Sequence, residues 1–250
     1  MIKGIYTSAL GLIPLEKRLE VIANNLANVD TTAFKRDDAF SNQLISATEL
    51  FKNGSPDPTE QDLNQQTYTD FSQGPMEQTG NPLDVGINGQ GFFVVQTSGG
   101  TMLTRDGSFT LSQDGTLETC DGAPVMGTNG PIRIDDVQQL QKSQLVIQPD
   151  GTVKAGDKIY GQLQVVIPGS YSQLSKAGGN LYQLKQGGII QQVTNSSLDI
   201  KQGYLEGSNV NAIDEMVAMI QLQTEFQAGQ KSIQSQDQSL SEANQVGQVQ

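Results

Sequence analysis

The sequence predicts an α+β fold, with N- and C-terminal α-helices paired in a coiled-coil-like helical domain and a β-rich middle domain of short strands, a meander or barrel-like sheet. Apolar residues recur at helical spacing near both ends of the 250-residue chain. Asp-Gly turns divide the middle at intervals typical of short strands. Only 36% of the residues are hydrophobic and 27 are glycine, a composition that favours a turn-rich middle over one large core.

The N-terminal helix is predicted from a narrow apolar stripe whose members recur in steps of three and four, as in the seam of a coiled coil. The stripe consists of Leu12, Leu15, Leu19, Ile22, Leu26 and Val29. Pro14 lies near its beginning, so the helix either starts there or kinks there. Because one narrow stripe cannot form a core by itself, we expect a second helix, and then further copies of the chain, to cover it.

Three asparagines lie off this stripe or at its edge: Asn24, Asn25 and Asn28. We expect their amides to bond to neighbouring subunits or to the chain reversal, because directional bonds give an apolar surface a defined register. Short polar side chains from Asp30 onward compete with helical hydrogen bonds and end the helix. Phe34 is then expected to anchor the returning chain.

The middle of the chain shows strand and turn signals. Three Asp-Gly pairs follow one another at intervals of seven to eight residues, which is the spacing of tight turns between short strands. These pairs are Asp106-Gly107, Asp114-Gly115 and Asp121-Gly122. We therefore divide the chain into a helical assembly domain (1–35 with 205–250), an extended connector (36–80 with 190–204) and a β-rich outer domain (81–189).

The C-terminal helix is predicted to begin after Asn211, whose side chain suits the N-cap position. Apolar residues follow at sevenfold spacing, with Met216 beside them. They are Ala212, Met219, Phe226, Ile233 and Leu240. Polar residues fill the alternate seam positions, so this seam is thinner than the first. These polar residues are Gln223, Gln230 and Asp237.

Composition excludes several classes of function. The net charge is −12, from 27 acidic and 15 basic residues, so the chain lacks the basic face that a nucleic-acid partner needs. It contains no histidine and a single cysteine, which excludes a Ser/His/Asp triad, an intrachain disulfide and a Cys/His metal site. Cys120 is expected to be a small, half-buried residue.

No other motif points to chemistry or to a membrane. The glycines of GINGQGFF (Gly86–Phe93) do not match a nucleotide-binding loop and are expected in turns. No apolar segment approaches the roughly 20 residues that a membrane-spanning helix needs. The N-terminus lacks a small-residue cleavage site, so we expect it to remain in the mature chain. We predict no enzyme activity, no catalytic residue, no cofactor and no metal.

Four blocks, in order along nearly the whole chain, resemble the bacterial flagellar rod and hook proteins. They are VIANNLANVDTTAFKRD, GNPLDVGINGQGFFVVQT, LTRDGSFTLSQDGTLETCDGAPVMG and GYLEGSNVNAIDEMVAMIQLQTEFQ. Within the family, the blocks are most similar to the proximal-rod branch and next to the distal-rod branch. The long hook branch fits a chain of this length poorly.

The resemblance implies a structural subunit of the basal-body rod. The terminal helices would pack against those of other copies and of other rod proteins, with the β-rich middle outside them. It implies export through the flagellar type III apparatus without signal cleavage, a periplasmic location and torque transmission without catalysis. The implied assembly interface combines the N-terminal stripe and asparagines with Phe34, Asn209, Asn211, Met216, Met219, Phe226, Ile233 and Leu240.

Two alternatives remain at this level. The seam residues could form an ordinary helical hairpin inside a monomer. A different class of protein, a secreted β-rich adhesin or glycan-binding module, would use the middle of the chain alone. Such a module would need exposed aromatic rings for stacking on sugars, and this chain has no tryptophan and six tyrosines.

Overall fold

A computed structural model describes residues 2–41, 65–135, 145–185, 187–192 and 198–247. These residues contain a long α-helix at each end and a succession of short strands between them. The α+β class with terminal helices and a strand-rich middle is therefore confirmed. None of the sheets in the described part of the chain closes on itself, so the barrel-like arrangement is not confirmed.

The elements are numbered in chain order. The helices are α1 (Ile2–Ala27) and α2 (Ala212–Gly247), and a short 3-10 helix occupies Tyr171–Gln173. The strands are β1 (Asp37–Ser41), β2 (Gln65–Thr69), β3 (Met76–Gln78), β4 (Val85–Ile87), β5 (Phe92–Thr97), β6 (Gly100–Thr104), β7 (Phe109–Leu111), β8 (Leu117–Thr119), β9 (Met126–Gly127), β10 (Gly130–Pro131), β11 (Leu145–Ile147), β12 (Thr152–Ala155), β13 (Lys158–Gln162), β14 (Val165–Pro168), β15 (Leu174–Gly178), β16 (Leu181–Leu184), β17 (Ile190–Gln192), β18 (Ile200–Gln202) and β19 (Tyr204–Glu206).

The chain forms two compact units. The helical unit comprises Met1–Val29, Arg36–Asp70 and Val210–Gln250, and the β unit comprises Asp30–Lys35 and Phe71–Asn209. The domain boundaries predicted from the sequence place residues 1–35 in the helical domain. The six residues after the first helical segment instead belong to the β unit, where the backbone of residues 32–35 bonds to strands and loops of that unit.

The two helices begin differently from each other. α1 starts at Ile2, well before Pro14, so the alternative that the helix starts at the proline is wrong. An interior proline costs a helix about 3 kcal/mol, a cost that packing of α1 against α2 must offset. α2 starts directly after Asn211, whose Oδ1 accepts a hydrogen bond from the Ile213 amide at 3.0 Å. The predicted N-cap is confirmed.

α1 and α2 pack against each other and run antiparallel. Leu12, in the first half of α1, lies so close to Gly229 that a Cβ on the glycine would be 2.6 Å from the leucine Cδ2. Arg36, which follows α1, bonds to Glu215 in the first turn of α2. Positions early in α1 therefore face positions late in α2.

The β unit is built around a six-stranded antiparallel sheet in the order β15-β16-β6-β5-β14-β17. A three-stranded sheet, β11-β12-β13, and the two-stranded pairs β10-β9, β18-β4, β19-β3 and β7-β8 accompany it. Strands β1 and β2 form a separate antiparallel pair in the helical unit. The predicted short-strand meander thus becomes several small sheets around one larger one.

Strand β5 is buried on both faces, which explains its unbroken apolar run. Phe93 and Val95 point into the main core, where Phe93 meets Phe109 edge to face at 5.1 Å. Phe92 and Val94 point into a second core on the other side of the sheet. Side chains alternate across a strand, so a strand with two covered faces must be apolar at every position.

The Asp-Gly pairs serve different purposes. Gly115 and Gly122 have φ values of 79° and 78°, the left-handed conformation that turns demand and glycine tolerates. Asp114-Gly115 thereby connects β7 with its partner β8. Gly107 is needed for a different reason: a Cβ there would lie 1.7 Å from the Val85 carbonyl oxygen. Two of the three pairs are turns, and the third is a close backbone approach.

Replacing Phe93 by alanine should lower the free energy of unfolding of the β unit by about 3–5 kcal/mol, because it leaves a cavity in the main core. Gln96→Ala, at the exposed end of the same strand, should change it by less than about 0.5 kcal/mol. Urea unfolding followed by circular dichroism measures both values. Equal effects of the two substitutions would contradict the central position of β5.

Candidate assembly surface

The face of α2 that turns toward α1 follows steps of four and three. Its members are buried or half-buried: Glu215, Met219, Leu222, Phe226, Gly229, Ile233 and Gln236. Met219, Phe226 and Ile233 are the sevenfold series that the sequence predicts, and the side chain of Leu240 lies outside the described residues. The alternate positions are Glu215, Leu222, Gly229 and Gln236, rather than the predicted Gln223, Gln230 and Asp237, which are exposed.

The predicted stripe on α1 is mostly half-covered. Ile22 is buried, and the other five members are half-buried: Leu12, Leu15, Leu19, Leu26 and Val29. Val21, beside the stripe, is also buried, whereas Ile13 is exposed. One partner helix therefore shields the stripe only in part.

A second apolar stripe on α2 is exposed to solvent. It contains Ile213, Met216, Val217 and Ile220, which are 71%, 51%, 49% and 64% exposed. At about 100° per residue, the spacing i, i+3, i+4, i+7 places all four on one face, opposite the face that contains Leu222. Met216 was expected beside the covered seam and lies on this outer face instead.

The three asparagines have different environments. Asn25 is buried, its Nδ2 donates to the Asp37 carbonyl at 2.8 Å, and its Oδ1 accepts from the Asp37 amide at 3.0 Å. Asn28 donates to the Asn24 carbonyl at 2.8 Å, a bond within the helix, and Asn24 is exposed. Of the two roles expected for these amides, Asn25 takes the one at the chain reversal, where it holds the first residue of β1.

An ion pair joins the chain reversal to α2. Arg36 Nε donates to Glu215 Oε1 at 2.6 Å, and the glutamate side chain is almost fully buried. Burial lowers the pKa of Arg36, but the hydrogen bond and charge of Glu215 raise it by more, so the guanidinium stays charged. On the neighbouring β1–β2 pair, the charge of Asp38 raises the pKa of Tyr68.

Phe34 and Asn209 belong to the β unit. Phe34 is buried, and the Lys176 ammonium lies 4.5 Å from the centre of its ring. The Phe34 carbonyl accepts from the Asn209 amide at 3.4 Å. The Asn209 side chain donates to the carbonyl and hydroxyl oxygens of Ser72 at 3.2 and 3.1 Å. Both predicted residues therefore take part in bonds within this unit.

Three family models match separate segments of the chain. The model described as flagella basal body rod protein matches residues 5–35. The flagellar hook protein FlgE/F/G D1 domain matches residues 86–155. The flagellar basal body rod FlgEFG protein C-terminal model matches residues 201–246. The first and third segments contain nearly all of the two helices.

Curated relatives match over almost the full chain. The flagellar basal-body rod protein FlgF of Caulobacter vibrioides is 36% identical over 91% of this chain and 91% of its own length. The chain belongs to the flagellar basal-body rod protein family. Another relative, the rod protein FlgG of Buchnera aphidicola subsp. Schizaphis graminum, is 36% identical over 98% of this chain and 100% of its own. FlgG of Bacillus subtilis is 31% identical over 97% and 98%.

Other features of this rod family member bear on chemistry. Among the residues that the structure describes, no three His, Cys, Asp or Glu side chains are grouped so that they could hold a metal ion. No described helix combines the length and apolar character needed to span a membrane. Cys120 was expected to be half-buried and is exposed, because it follows β8 in a turn; its Sγ donates to the Ser108 carbonyl.

Sequence reasoning missed Glu215 and Gly229 on the covered face of α2. A search for apolar residues passes over both, because one is charged and the other has no side chain. A signal for Gly229 was present nonetheless: glycine inside a helix costs about 1 kcal/mol, which is tolerated where a neighbouring helix approaches closely. Glu215 carried no comparable signal, because acidic residues are common in the first turn of any helix.

Asn25→Ala should destabilise the helical unit by about 1–3 kcal/mol, because it removes two hydrogen bonds and leaves the Asp37 backbone groups without these partners. Asn24→Ala is the matched control: it makes the same change in helix propensity at the exposed neighbouring position. We expect it to cost less than about 0.5 kcal/mol. Urea unfolding monitored at 222 nm, the helix signal, compares them; equal losses would refute the role assigned to Asn25.

Proposed function

We propose that this protein is a structural subunit of the flagellar basal-body rod, in the proximal layer, and that it assembles through its terminal helices with other copies and with other rod proteins. The distal layer is the alternative. The relatives support both, since one FlgF and one FlgG protein each share 36% identity with the chain. The sequence blocks around GNPLDV and YLEGSNV favour the proximal branch.

The observation that carries this proposal is the exposed apolar stripe on α2. Its four members lie within two turns on the face opposite the one that packs on α1. Single exposed aliphatic residues are ordinary on protein surfaces, but a contiguous row on one helix face marks an interaction surface. A helix with apolar residues on opposite faces suits packing between two neighbours, as in a multi-layered helical wall.

The size of the stripe indicates many partners rather than one. Fully burying an aliphatic side chain contributes about 1.5–3 kcal/mol, and these four are already half covered or less. Burying the rest of these side chains therefore lowers the free energy of association by only a few kcal/mol. The loss of translational and rotational freedom raises it by about 4–15 kcal/mol. One such contact is too weak to hold a dimer. Stacking of many copies, in which each chain makes several contacts, overcomes the cost.

The half-covered stripe on α1 adds further surface of the same kind. We propose that the antiparallel helices form a coiled-coil-like pair whose incomplete seam is closed by helices of neighbouring subunits. Ile13, on α1, is also exposed. The predicted interface residues of both helices would then contact other subunits, whereas Phe34 and Asn209 would act indirectly, through the bonds they make within the β unit.

In this proposal the rod protein reaches the periplasm through the flagellar type III export apparatus, keeps its N-terminus and transmits torque without catalysis. The family relationship supports this view, since the relatives that match over most of the chain are named as basal-body rod proteins.

Ile220→Asp should abolish rod assembly while leaving the purified chain folded, because a charge replaces a 64% exposed member of the stripe and not a core residue. The test uses a strain in which the variant is the sole copy of the gene. Electron microscopy of isolated basal bodies measures rod formation, and circular dichroism of the purified variant measures its fold.

Gln221→Asp is the control, since it introduces an aspartate at the neighbouring position, about a quarter turn from Ile220. We expect it to assemble normally. A strain with Ile220→Asp that builds complete rods and swims like the parent would refute the proposed interface. Secretion of the variant into the medium, measured by immunoblot, separates a failure of assembly from a failure of export.

A further inference from the structure

The chain passes between its two units four times, and residues next to three of these passages meet in one place in the β unit. The passages lie at Val29-Asp30, Lys35-Arg36, Asp70-Phe71 and Asn209-Val210. On the β-unit side they bring together Lys35, the segment from Ser72 to Gly74, and the segment from Glu206 to Asn209. These three stretches are far apart in sequence, so something specific must hold them together.

Glu206 is the centre of this arrangement. Its Oε1 accepts hydrogen bonds from Lys35 Nζ at 2.5 Å and from the Gly74 amide at 2.9 Å. Its Oε2 accepts from Arg105 Nη1 at 2.8 Å. Its backbone carbonyl accepts from the Ala33 amide at 2.7 Å. Glu206, beside the fourth passage, thus contacts residues beside the second and third passages, and it also contacts Arg105.

The two cations extend the network. Lys35 Nζ also donates to the Ser72 carbonyl at 2.6 Å, which joins the second passage to the third. Arg105 Nη2 donates to the Gly89 carbonyl at 2.6 Å, and its guanidinium lies 5.5 Å from the centre of the Phe92 ring. Arg105 lies on none of the four passages. It connects the network to the loop before β5 and to the second core.

All three charged side chains are buried, with exposures of 0% for Lys35, 3% for Arg105 and 0% for Glu206. A buried charge that loses its partner is strongly destabilising, because neither water nor another charge replaces it. Removing Glu206 therefore leaves two buried cations without this counter-ion, and removing Arg105 leaves Oε2 of the buried Glu206 carboxylate without its cationic donor. Because the two ion pairs share one carboxylate, the loss of a member weakens the whole network, unlike the loss of one of two independent surface bridges, each worth less than about 1 kcal/mol.

We propose that Lys35, Arg105 and Glu206 form a clamp that fixes three of the four chain passages to the β unit, so that force carried along these chain segments enters this unit at one cluster of buried charges. The mechanical role rests on the proposed function, because only a subunit of a rotating rod carries such a load. Without the clamp, each passage would separate independently from the short strands beside it, such as the three-residue β3 and β19.

The clamp itself is tested by amide hydrogen exchange on the purified chain, independently of any rod. Arg105→Met should raise exchange about tenfold or more, and together, at the amides of Ala33, Gly74 and Asn209, which lie on different passages. The Leu117 amide in the main core should be unchanged. Arg105→Lys keeps the charge and should retain part of the protection. Lys158→Met, which removes an exposed ion pair with Asp135, is the control and should change none of them.

Faster exchange confined to residues beside position 105 would overturn the clamp, because it would show that the passages are held independently. A loss of protection throughout the β unit, including Leu117, in both Arg105→Met and Arg105→Lys would also overturn the clamp. It would show that Arg105 supports the whole fold and not the passages in particular. Glu206→Gln provides a second variant, nearly identical in shape, that removes the central charge and should give the same pattern as Arg105→Met.

The mechanical role is tested by motility under load. Cells whose sole copy carries Glu206→Gln should swim in dilute medium and stop at a viscosity at which the control strain still swims. The control, Leu117→Ala, lowers stability in the main core without touching the clamp. Parallel loss of speed in both strains would refute the mechanical role while leaving the exchange result intact. If cells lacking the gene swim normally, the proposed function itself fails.

Discussion

The antiparallel contact between α1 and α2 sets the limits for the rest of the helical unit. An α-helix that packs on one neighbour covers a stripe about 100° wide, and the remainder faces solvent. On α2 the covered stripe includes Leu222 and Gly229, and the exposed side includes Ile213 and Ile220. The pair therefore leaves apolar side chains of α2 uncovered, and in the proposed assembly helices of neighbouring subunits would cover them.

Polar bonds over long sequence distances bring the chain ends together. Ala33 and Lys35 bond to Glu206, and Arg36 bonds to Glu215, so two neighbouring stretches are paired with two others about 170 residues away in sequence. Closing a loop costs entropy that rises only slowly, by about 0.6 kcal/mol for each doubling of its length. Once one of these bonds has closed the loop, the next bond forms with little further loss of chain entropy. Several contacts therefore share the entropy cost of closing one loop.

The sequence predicted the features that depend on local periodicity. The stripe on α1 and the cap at Asn211 follow from spacing and side-chain chemistry over a few residues. The covered face of α2 was harder to predict, because three of its seven positions carry Glu215, Gly229 and Gln236, which a search for apolar residues omits. The identity of the alternate seam positions was therefore wrong, and Met216 was assigned to the covered side although it faces solvent.

Features that depend on distant pairing were beyond the sequence. The six-stranded sheet pairs β14 with β5 and β16 with β6, and nothing in these short strands encodes which partner each one takes. Charged side chains are almost never fully buried unless paired, so a pattern places Lys35, Arg105 and Glu206 at the surface. Only the fold shows that both cations pair with the one carboxylate inside the β unit. The turns, by contrast, were readable from Asp-Gly pairs because glycine is required locally.

The composition of the covered seam fits an element that must form new contacts. Gly229 weakens α2 by about 1 kcal/mol relative to alanine, and Glu215 places a charge where a leucine would add apolar contact. Only one carboxylate oxygen of Glu215 has a hydrogen-bond partner in the described part of the chain. A seam built in this way holds the two helices in register without making the pair self-sufficient. In the proposed assembly, the exposed apolar residues on the opposite face of α2 would supply, through contacts with neighbouring subunits, the stability that this seam lacks.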